Sequence, residues 1–260
     1  MKVFISVVSH GHCELINKLA CISSLIQGFQ VIIKSNKLSD NFEELTNSSN
    51  FHWVNDQYGC GFGHNNNIIF NYCRANLDMK DEDYFLVLNP DVIIAVSDIK
   101  QLLENMDEDK AQLSAINLFK DKEKTIYDNS VRRFPSLKQF VSSFFGLGND
   151  AIIDKNQLMS SSDIEWAAGS FLCFKAKHYM KLGGFDEGYF MYCEDIDICY
   201  RSLKEGKAVR YYPDIQALHL AQHANREIFS KHFYWHVSSV IRFLISRLGI
   251  ISPKTSLIIK

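Results

Sequence analysis

The residues of this 260-residue chain with the types and spacing to do chemistry are mostly acids. Asp91 follows the apolar run Tyr84-Phe85-Leu86-Val87-Leu88 and the turn Asn89-Pro90, which holds a carboxylate rigidly at the end of a buried strand. A hard divalent cation bridging two phosphates needs few protein ligands, because phosphate and water oxygens complete its shell. One Asp with one further ligand suffices. Asn-Pro-Asp is equally a good turn sequence, so the tripeptide leaves both readings open. Glu194, Asp195 and Asp197 cluster at the start of a helix, where capping and the helix dipole favour negative charge. A carboxylate there, beside a cleft, is well held to take a proton from a hydroxyl. Capping alone does not account for the aromatic Tyr189-Phe190-Met191-Tyr192 just before it. Asp197 and Arg201, four apart, read as a helix-surface ion pair, and Ile196, Cys199, Tyr200 and Leu203 as the buried stripe, which leaves Glu194 and Asp195 near the exposed end. His219 is a candidate second cation ligand or a structural histidine. His223 lies four residues on, but the preceding segment reads as extended and carries no Glu beside the first His, which disfavours a helical zinc-protease pair.

Several other chemistries are disfavoured. Gly59-x-Gly61-x-Gly63 follows a strand and precedes a helix, yet it is not G-x-G-x-x-G and has no suitably placed acid for a ribose, which argues against a dinucleotide oxidoreductase. No phosphate-binding G-x-x-x-x-G-K-[ST] and no G-x-S-x-G nucleophile elbow occurs. Cys193 sits among acids that raise its pKa, a poor setting for a nucleophilic thiolate.

The elements that must position these residues are legible in outline. Val3 to Ser9 is a β-branched run ending in His10-Gly11-His12, and Leu15, Leu19, Ile22 and Leu25 then recur at helical spacing up to Gly28. Phe29 to Lys34 and Phe51 to Val54 are further buried runs, the second leading into a loop through Gly61 to Asn67 and a helix from about Asn66 to Leu77. Strands alternating with helices imply an α/β sheet of nucleotide-binding type, in which ligands gather beyond the carboxyl ends of the strands. His10, Asn36, the Gly61 to Asn67 loop and Asp91 all fall at such ends. In the second half, Arg132-Arg133-Phe134-Pro135 begins a long connection. Ile164 to Phe174 is a strand interrupted by Ala167-Ala168-Gly169-Ser170, a composition suited to close backbone approach. A helix runs from Cys193 to Gly206, and Ala208 to Tyr212 and Ile215 to His219 are strands. From Phe229 to Leu248, Phe233, Val237, Ile241, Leu244 and Leu248 form one stripe, with Lys231, Arg242 and Arg247 elsewhere. This helix and the apolar, basic tail Ile250 to Lys260 either rest on an anionic bilayer or pack on the core.

Composition bounds the rest. With 47% hydrophobic and 22% charged residues, one large domain or two small ones can bury a core, which excludes disorder and small disulfide scaffolds. The net charge of -2 lacks the basic surplus expected of a nucleic-acid binder. Seven cysteines without a C-x-x-C pair read as reduced, in a cytosolic chain, and no apolar run is long enough to cross a membrane.

As an ordered set, Val8-Ser9-His10, Gly61-Phe62-Gly63-His64-Asn65-Asn66-Asn67, Leu88-Asn89-Pro90-Asp91, Trp166-Ala167-Ala168-Gly169-Ser170, Gly184-Phe185-Asp186-Glu187 and Glu194-Asp195-Ile196-Asp197 resemble the family 2 glycosyltransferases. The likeness covers roughly residues 1 to 223. Phe190 to Asp195 and Ala221 to Arg226 especially resemble the O-antigen rhamnosyltransferases that add L-rhamnose to N-acetylglucosamine on diphospho-undecaprenol. The resemblance implies the GT-A fold: a single α/β/α domain over residues 1–223 with a mixed, mainly parallel central sheet. Residues 1–100 are its donor half and 101–223 its acceptor and catalytic half, followed by an amphipathic helical extension over 224–260.

It further implies that Asp91, with His219, holds Mg2+ or Mn2+ against the donor diphosphate, although Asn89 replaces the first acid of the D-x-D-type motif. Ser9, His10, Asn36, Gly63, Asn66 and Asn89 would border the nucleotide, and Trp166, Gly169, Asp186 and Tyr192 the acceptor or sugar. Asp195 matches the catalytic base, supported by Glu194, for an inverting single displacement. The implied partners are dTDP-L-rhamnose, a polyprenyl-diphosphate-linked sugar acceptor and the inner-membrane surface on its cytoplasmic face, with Lys231, Arg242 and Arg247 towards the lipid or the acceptor diphosphate. A UDP-hexose donor and a catalytically silent binding subunit are the alternatives.

Overall fold

The computed structural model describes residues 1–135, 152–220 and 231–258. Residues 221–226, His223 among them, and the expected boundary at 223 lie outside the described residues. The framework is a sheet of β1 (Val3–Ser9), β2 (Gln30–Ser35), β3 (Phe51–Val54), β4 (Tyr84–Leu88), β5 (Val92–Ile93), β6 (Leu113–Phe119), β10 (Phe171–Lys175) and β11 (Val209–His219), in the order β3-β2-β1-β4-β10-β6-β11-β5. A further strand, β8 (Ser162–Ile164), pairs beside β11, and a separate two-stranded ribbon joins β7 (Val131–Arg132) to β9 (Trp166–Ala167). β1, β2, β3 and β4 are mutually parallel; β10 enters antiparallel between β4 and β6, and β11 runs parallel to β6. The carboxyl ends of β1, β2, β4, β6 and β11 therefore share one edge, which is where this topology collects ligands.

Strand alternation divides the core into two layers. Along β1, Phe4 joins the layer containing Ile69, Phe70 and Tyr179, whereas Val3, Ile5 and Val7 join the opposite layer with Ile22, Leu25, Ile99 and Leu102. β4 does the same, Phe85 and Val87 on one side and Tyr84, Leu86 and Leu88 on the other. Both faces of each strand are covered, so its sequence shows no polar alternation. One layer carries α1 (Cys13–Leu19), α2 (Cys21–Leu25) and α4 (Val96–Glu108); the other carries α3 (Phe62–Asn76), α5 (Ala176–Lys181), α6 (Glu194–Lys204) and α7 (Lys231–Arg247).

Four expectations are corrected. The helix read over Leu15 to Leu25 is broken at Ala20, whose φ of 52° rephases the chain so that Cys21, Ile22 and Leu25 face the sheet. The helix expected from about Asn66 starts at Phe62, which puts Gly63 to Asn67 inside its first turns. Asparagine runs favour loops because their side chains compete for the backbone, but here tertiary partners occupy the amides. Asn66 accepts from Ser6 Oγ at 2.6 Å, and Asn67 donates to Phe185 O at 2.8 Å and to Glu187 Oε1 at 2.7 Å. The strands expected at 208–212 and 215–219 form one strand with a register shift between Tyr212 and Gln216. Leu203, expected in the buried stripe of α6, is exposed, because Ile198 and Ser202 take the inward positions.

α7 docks on the domain through charge as well as through Phe243. Arg242 donates from Nε to Asp186 Oδ2 at 2.9 Å and from Nη2 to Oδ1 at 2.8 Å, while Ser239 Oγ donates to Met191 O at 2.8 Å. Asp186 is fully buried and also accepts from the Gly188 and Lys254 backbone N–H groups, both at 2.9 Å. Asp186→Asn leaves a half-buried guanidinium without its counter-charge and is expected to cost about 3–5 kcal/mol. The measurement is the urea midpoint of the full chain; an unchanged midpoint would show that α7 is held by its apolar contacts alone.

Candidate active site

The tripeptide Ala168-Gly169-Ser170, between β9 and β10, joins the sheet edge to the acidic helix. Ser170 O accepts from Asn89 N at 2.9 Å, Gly169 N donates to Asp195 Oδ2 at 3.1 Å, and Ala168 N donates to Ser130 O at 2.8 Å. Three consecutive residues thus tie the end of β4, the start of α6 and the segment before β7 to one point. A side chain at 169 would bring its Cβ to 3.1 Å from the Phe62 ring and 3.6 Å from Asp195 Cβ, so glycine permits the approach.

Backbone N–H groups hold Asp195. Its Oδ1 accepts from Ile196 N at 2.9 Å and its Oδ2 from Gly169 N. Burial raises its pKa, while these hydrogen bonds and the charge of Arg132 pull it back part of the way. Glu194 beside it is buried, and its Oε2 has no hydrogen-bond partner among the described residues. Burial first, and the Asp195 charge second, push its carboxyl up to about 8. Both acids were expected near an exposed helix end; the structure buries Glu194 and leaves Asp195 half-buried, because the preceding turn folds over them. Tyr192 and Cys193 both adopt the left-handed region, at φ 71° and 64°, so the chain turns sharply into α6. The Cys193 thiol is raised by burial first and by the neighbouring acids, which keeps it protonated.

Asp197 has a different role. It is fully buried, not on the surface, and accepts from Arg201 Nε at 2.7 Å. Arg201 also donates to Leu182 O at 2.5 Å and Gly184 O at 2.9 Å, so the pair fastens α6 to the turn after α5.

At the far end of the sheet edge, His219 closes β11 beside β5. Its Nε2 lies 3.4 Å from Asp91 Oδ1 and its Nδ1 lies 3.3 Å from Asp128 Oδ2. Burial opposes the imidazolium, but hydrogen bonding and charge from Asp128 and Asp91 outweigh it and raise the pKa to about 9. Among the described residues no three His, Cys, Asp or Glu side chains form a ready cation cage. Asp91 and, once a cation displaces its Nε2 proton, His219 offer one carboxylate and one imidazole, a donor pair that fits a cation taking its remaining ligands from diphosphate and water.

The remaining expected contacts divide. Ser9, His10 and Asn36 come together at the ends of β1 and β2: Asn36 N donates to Ser9 O at 2.7 Å, and Asn36 Nδ2 lies 3.2 Å from His10 Nδ1. The Asn36 amide also bonds to Cys60 at both N and O, each at 2.9 Å, so it braces the loop before α3. Asn89 stands at the edge beside Ser170. Gly63 and Asn66 do not reach that edge: both are buried in α3, and a Cβ on Gly63 would lie 2.6 Å from Phe185 Cβ. Asp186 is occupied by Arg242 and cannot meet an acceptor, and for the same reason Arg242 does not face lipid. Trp166 is buried, donates to Arg133 O at 2.8 Å and carries the Arg132 guanidinium over its ring. Tyr192 lies 3.1 Å through its hydroxyl from His232 Nδ1 on α7. Asp128 and Arg132 escaped sequence reading, since nothing in Tyr127-Asp128-Asn129-Ser130 separates it from an ordinary loop.

No protein-family model matches the chain. Over 247 residues it is 37% identical to rhamnosyltransferase WbbL of Escherichia coli (strain K12), spanning 93% of this chain and 92% of that one. Over 173 residues it is 28% identical to the N-acetylglucosaminyl-diphospho-decaprenol L-rhamnosyltransferase of Mycobacterium tuberculosis (strain ATCC 25618 / H37Rv), across 64% of this chain and 56% of that protein. The fold is similar to that of S. aureus TarS 1-349 in complex with UDP-GlcNAc, with a TM-score of 0.58 and 12% identity, covering 96% of this chain and 67% of that one. At that identity the likeness bears on the fold, a mixed sheet between helical layers.

The Glu194 carboxyl yields a pH test. Its folded pKa is raised above the ordinary 4.5, so the native state holds this proton more tightly than the unfolded chain does. Raising the pH from about 5 to about 8 therefore costs native stability through this group. Glu194→Gln removes it, and thermal melts across that range are expected to show a shallower fall than wild type; parallel slopes would place Glu194 in a solvated setting.

Proposed function

The chain belongs to the rhamnosyltransferases of glycosyltransferase family 2, and from that premise we propose that it transfers L-rhamnose from dTDP-β-L-rhamnose to an N-acetylglucosaminyl-diphospho-polyprenol acceptor, with inversion, in surface-polysaccharide assembly. The observation that carries this reading is the Gly169–Asp195 hydrogen bond, which sets a half-buried carboxylate against the sheet edge where Asn89 and Asp91 follow β4. A carboxylate whose pKa is raised by burial accepts a proton more readily than one in water. Asp195 takes the proton of the acceptor hydroxyl as its oxygen bonds to the anomeric carbon; the bond from that carbon to the diphosphate oxygen breaks, and the electron pair leaves with the nucleoside diphosphate. Asp91 and His219 Nε2 are the residues that would hold Mg2+ or Mn2+, whose positive charge, when bound, favours the departing diphosphate. Glu194, protonated at neutral pH by its burial, lets the pair carry a single negative charge, so that Asp195 stays ionised beside it. Ser9, His10 and Asn36 border the nucleotide in this reading, and Tyr192 the acceptor.

The lipid acceptor accords with the outer face of α7. Tyr234, Val237, Ile241 and Leu248 are exposed and recur at spacings of three, four and seven, so they share one side of the helix, opposite buried Ser239 and Phe243. No helix among the described residues is long and apolar enough to cross a membrane. An exposed apolar stripe on a docked helix suits a protein that lies on the cytoplasmic face of the inner membrane and takes its acceptor from the bilayer surface.

Calorimetry with dTDP-rhamnose, dTDP, UDP and GDP, each with Mn2+, tests the donor; preference for UDP would discard rhamnose while keeping the base. Asp195→Asn is expected to lower kcat by about 10²-fold or more with donor affinity within about twofold of wild type, whereas equal loss of both would remove Asp195 from the base role. For the surface, Ile241→Asp with Leu248→Asp is expected to abolish co-sedimentation with anionic vesicles while leaving transfer to a short-chain, detergent-free acceptor intact; unchanged sedimentation would remove α7 from the lipid contact.

A further inference from the structure

His219 is flanked by a carboxylate at each ring nitrogen, and only one of the two, Asp91, lies at the strand edge next to the expected donor. Asp128 stands behind the ring. It is buried and anchored from several sides: its backbone N–H donates to Leu118 O at 2.9 Å, and the aromatic ring of Tyr127 packs on Phe119 with centroids 5.0 Å apart. Lys155, also buried, donates to Leu118 O at 3.2 Å and to Ser130 Oγ at 3.1 Å, closing the same segment from the other side. His219 is itself the last residue of β11, whose Leu218 is in register with Phe119 of β6. His219 therefore ends β11, and Asp128 is tied through its backbone to the end of the neighbouring strand β6, a rigid arrangement.

We propose that Asp128 is a positioning residue: by accepting a hydrogen bond from His219 Nδ1 at 3.3 Å, it fixes the plane of the ring and keeps Nε2 beside Asp91, so that the two side chains form a two-residue site for a divalent cation. The reasoning is that of imidazole ligands in general. A neutral imidazole binds a cation through one nitrogen only if the other carries the proton, and a carboxylate at the protonated nitrogen selects that tautomer and holds the ring plane. The inference rests on the reading of Asp91 and His219 as the cation site.

The test is Mn2+ affinity of the full chain with saturating dTDP, read by electron paramagnetic resonance. Asp128→Asn is expected to weaken Mn2+ binding about 10- to 100-fold. In a His219→Gln background the same substitution is expected to add nothing, because its effect runs through the imidazole. Nitrogen-15 spectra of the His219 ring with diamagnetic Mg2+ and dTDP are expected to show Nδ1 protonated and Nε2 without a proton in the wild type. Tyr127→Leu, which disturbs the same segment without touching His219, controls for loosening of the loop and is expected to leave Mn2+ affinity within about threefold. Equal Mn2+ affinity in Asp128→Asn and wild type, or an undiminished loss in the His219→Gln background, overturns the positioning role while leaving the cation site standing. Failure of the wild type itself to bind Mn2+ with dTDP overturns the cation site and the positioning role with it.

Discussion

The close approach of backbone at Ala168-Gly169-Ser170 is the constraint on which the rest of the site depends. Each of the three residues spends one backbone group on a different partner: Ser130, Asp195 and Asn89. A loop usually satisfies its amides with water, whereas this one uses them to set the distance between the ends of the sheet and the start of α6. The approach works because Gly169 has no Cβ to press on Phe62 and Asp195. Trp166, two residues before Ala168, is fixed by its own hydrogen bond to Arg133 O, so the tripeptide is held at its base by the small ribbon of β7 and β9.

Acids in this protein are sorted by what neutralises them. Asp186 and Asp197 are both fully buried, and each faces a guanidinium, Arg242 in one case and Arg201 in the other. Those pairs join α7 and α6 to the body of the domain. Glu194 and Asp195 sit between these two acids in the chain; backbone N–H groups hold Asp195, and the Glu194 Oε2 has no partner among the described residues. An ion pair would hold a carboxylate ionised and inert, whereas burial without a cation leaves it ready to exchange a proton. The α6 N-terminus offsets part of the cost of this burial, because its dipole favours negative charge there.

α7 connects this chemistry to the exterior. Its inner face grips the segment that turns into α6 through Arg242–Asp186, Ser239–Met191 and His232–Tyr192, with Trp235 packed on Phe190 at 4.6 Å between centroids. The left-handed Tyr192 and Cys193 sit within that grip, and such strained backbone persists where surrounding contacts over-determine it. The same helix carries exposed apolar side chains on its other side. The helix is thus both a buttress of the turn into α6 and a surface element, and the two roles are separated by its own periodicity.

The sequence by itself determined the α/β class, the strands β1 to β4, the break at 167–170 and the candidate base. These rest on local signals: β-branched runs, turn residues and a run of acids at a helix start are properties of neighbours in the chain. Tertiary structure alone decided which polar residues were structural. Asn66 and Gly63 read as a nucleotide loop because asparagine and glycine favour loops in isolation, yet Ser6, 60 residues away, and Phe185 make them helix interior. Asp186 read as an acceptor contact until Arg242 was placed against it, 56 residues on. Asp128 carried no signal in its own segment and became part of a site only when the fold set it 3.3 Å from His219, 91 residues away. The physical reason is common to all three: hydrogen bonding and charge act over a few ångströms of space, and distance in space between residues far apart in the chain is set by packing of the sheet and its helices, which no local pattern records.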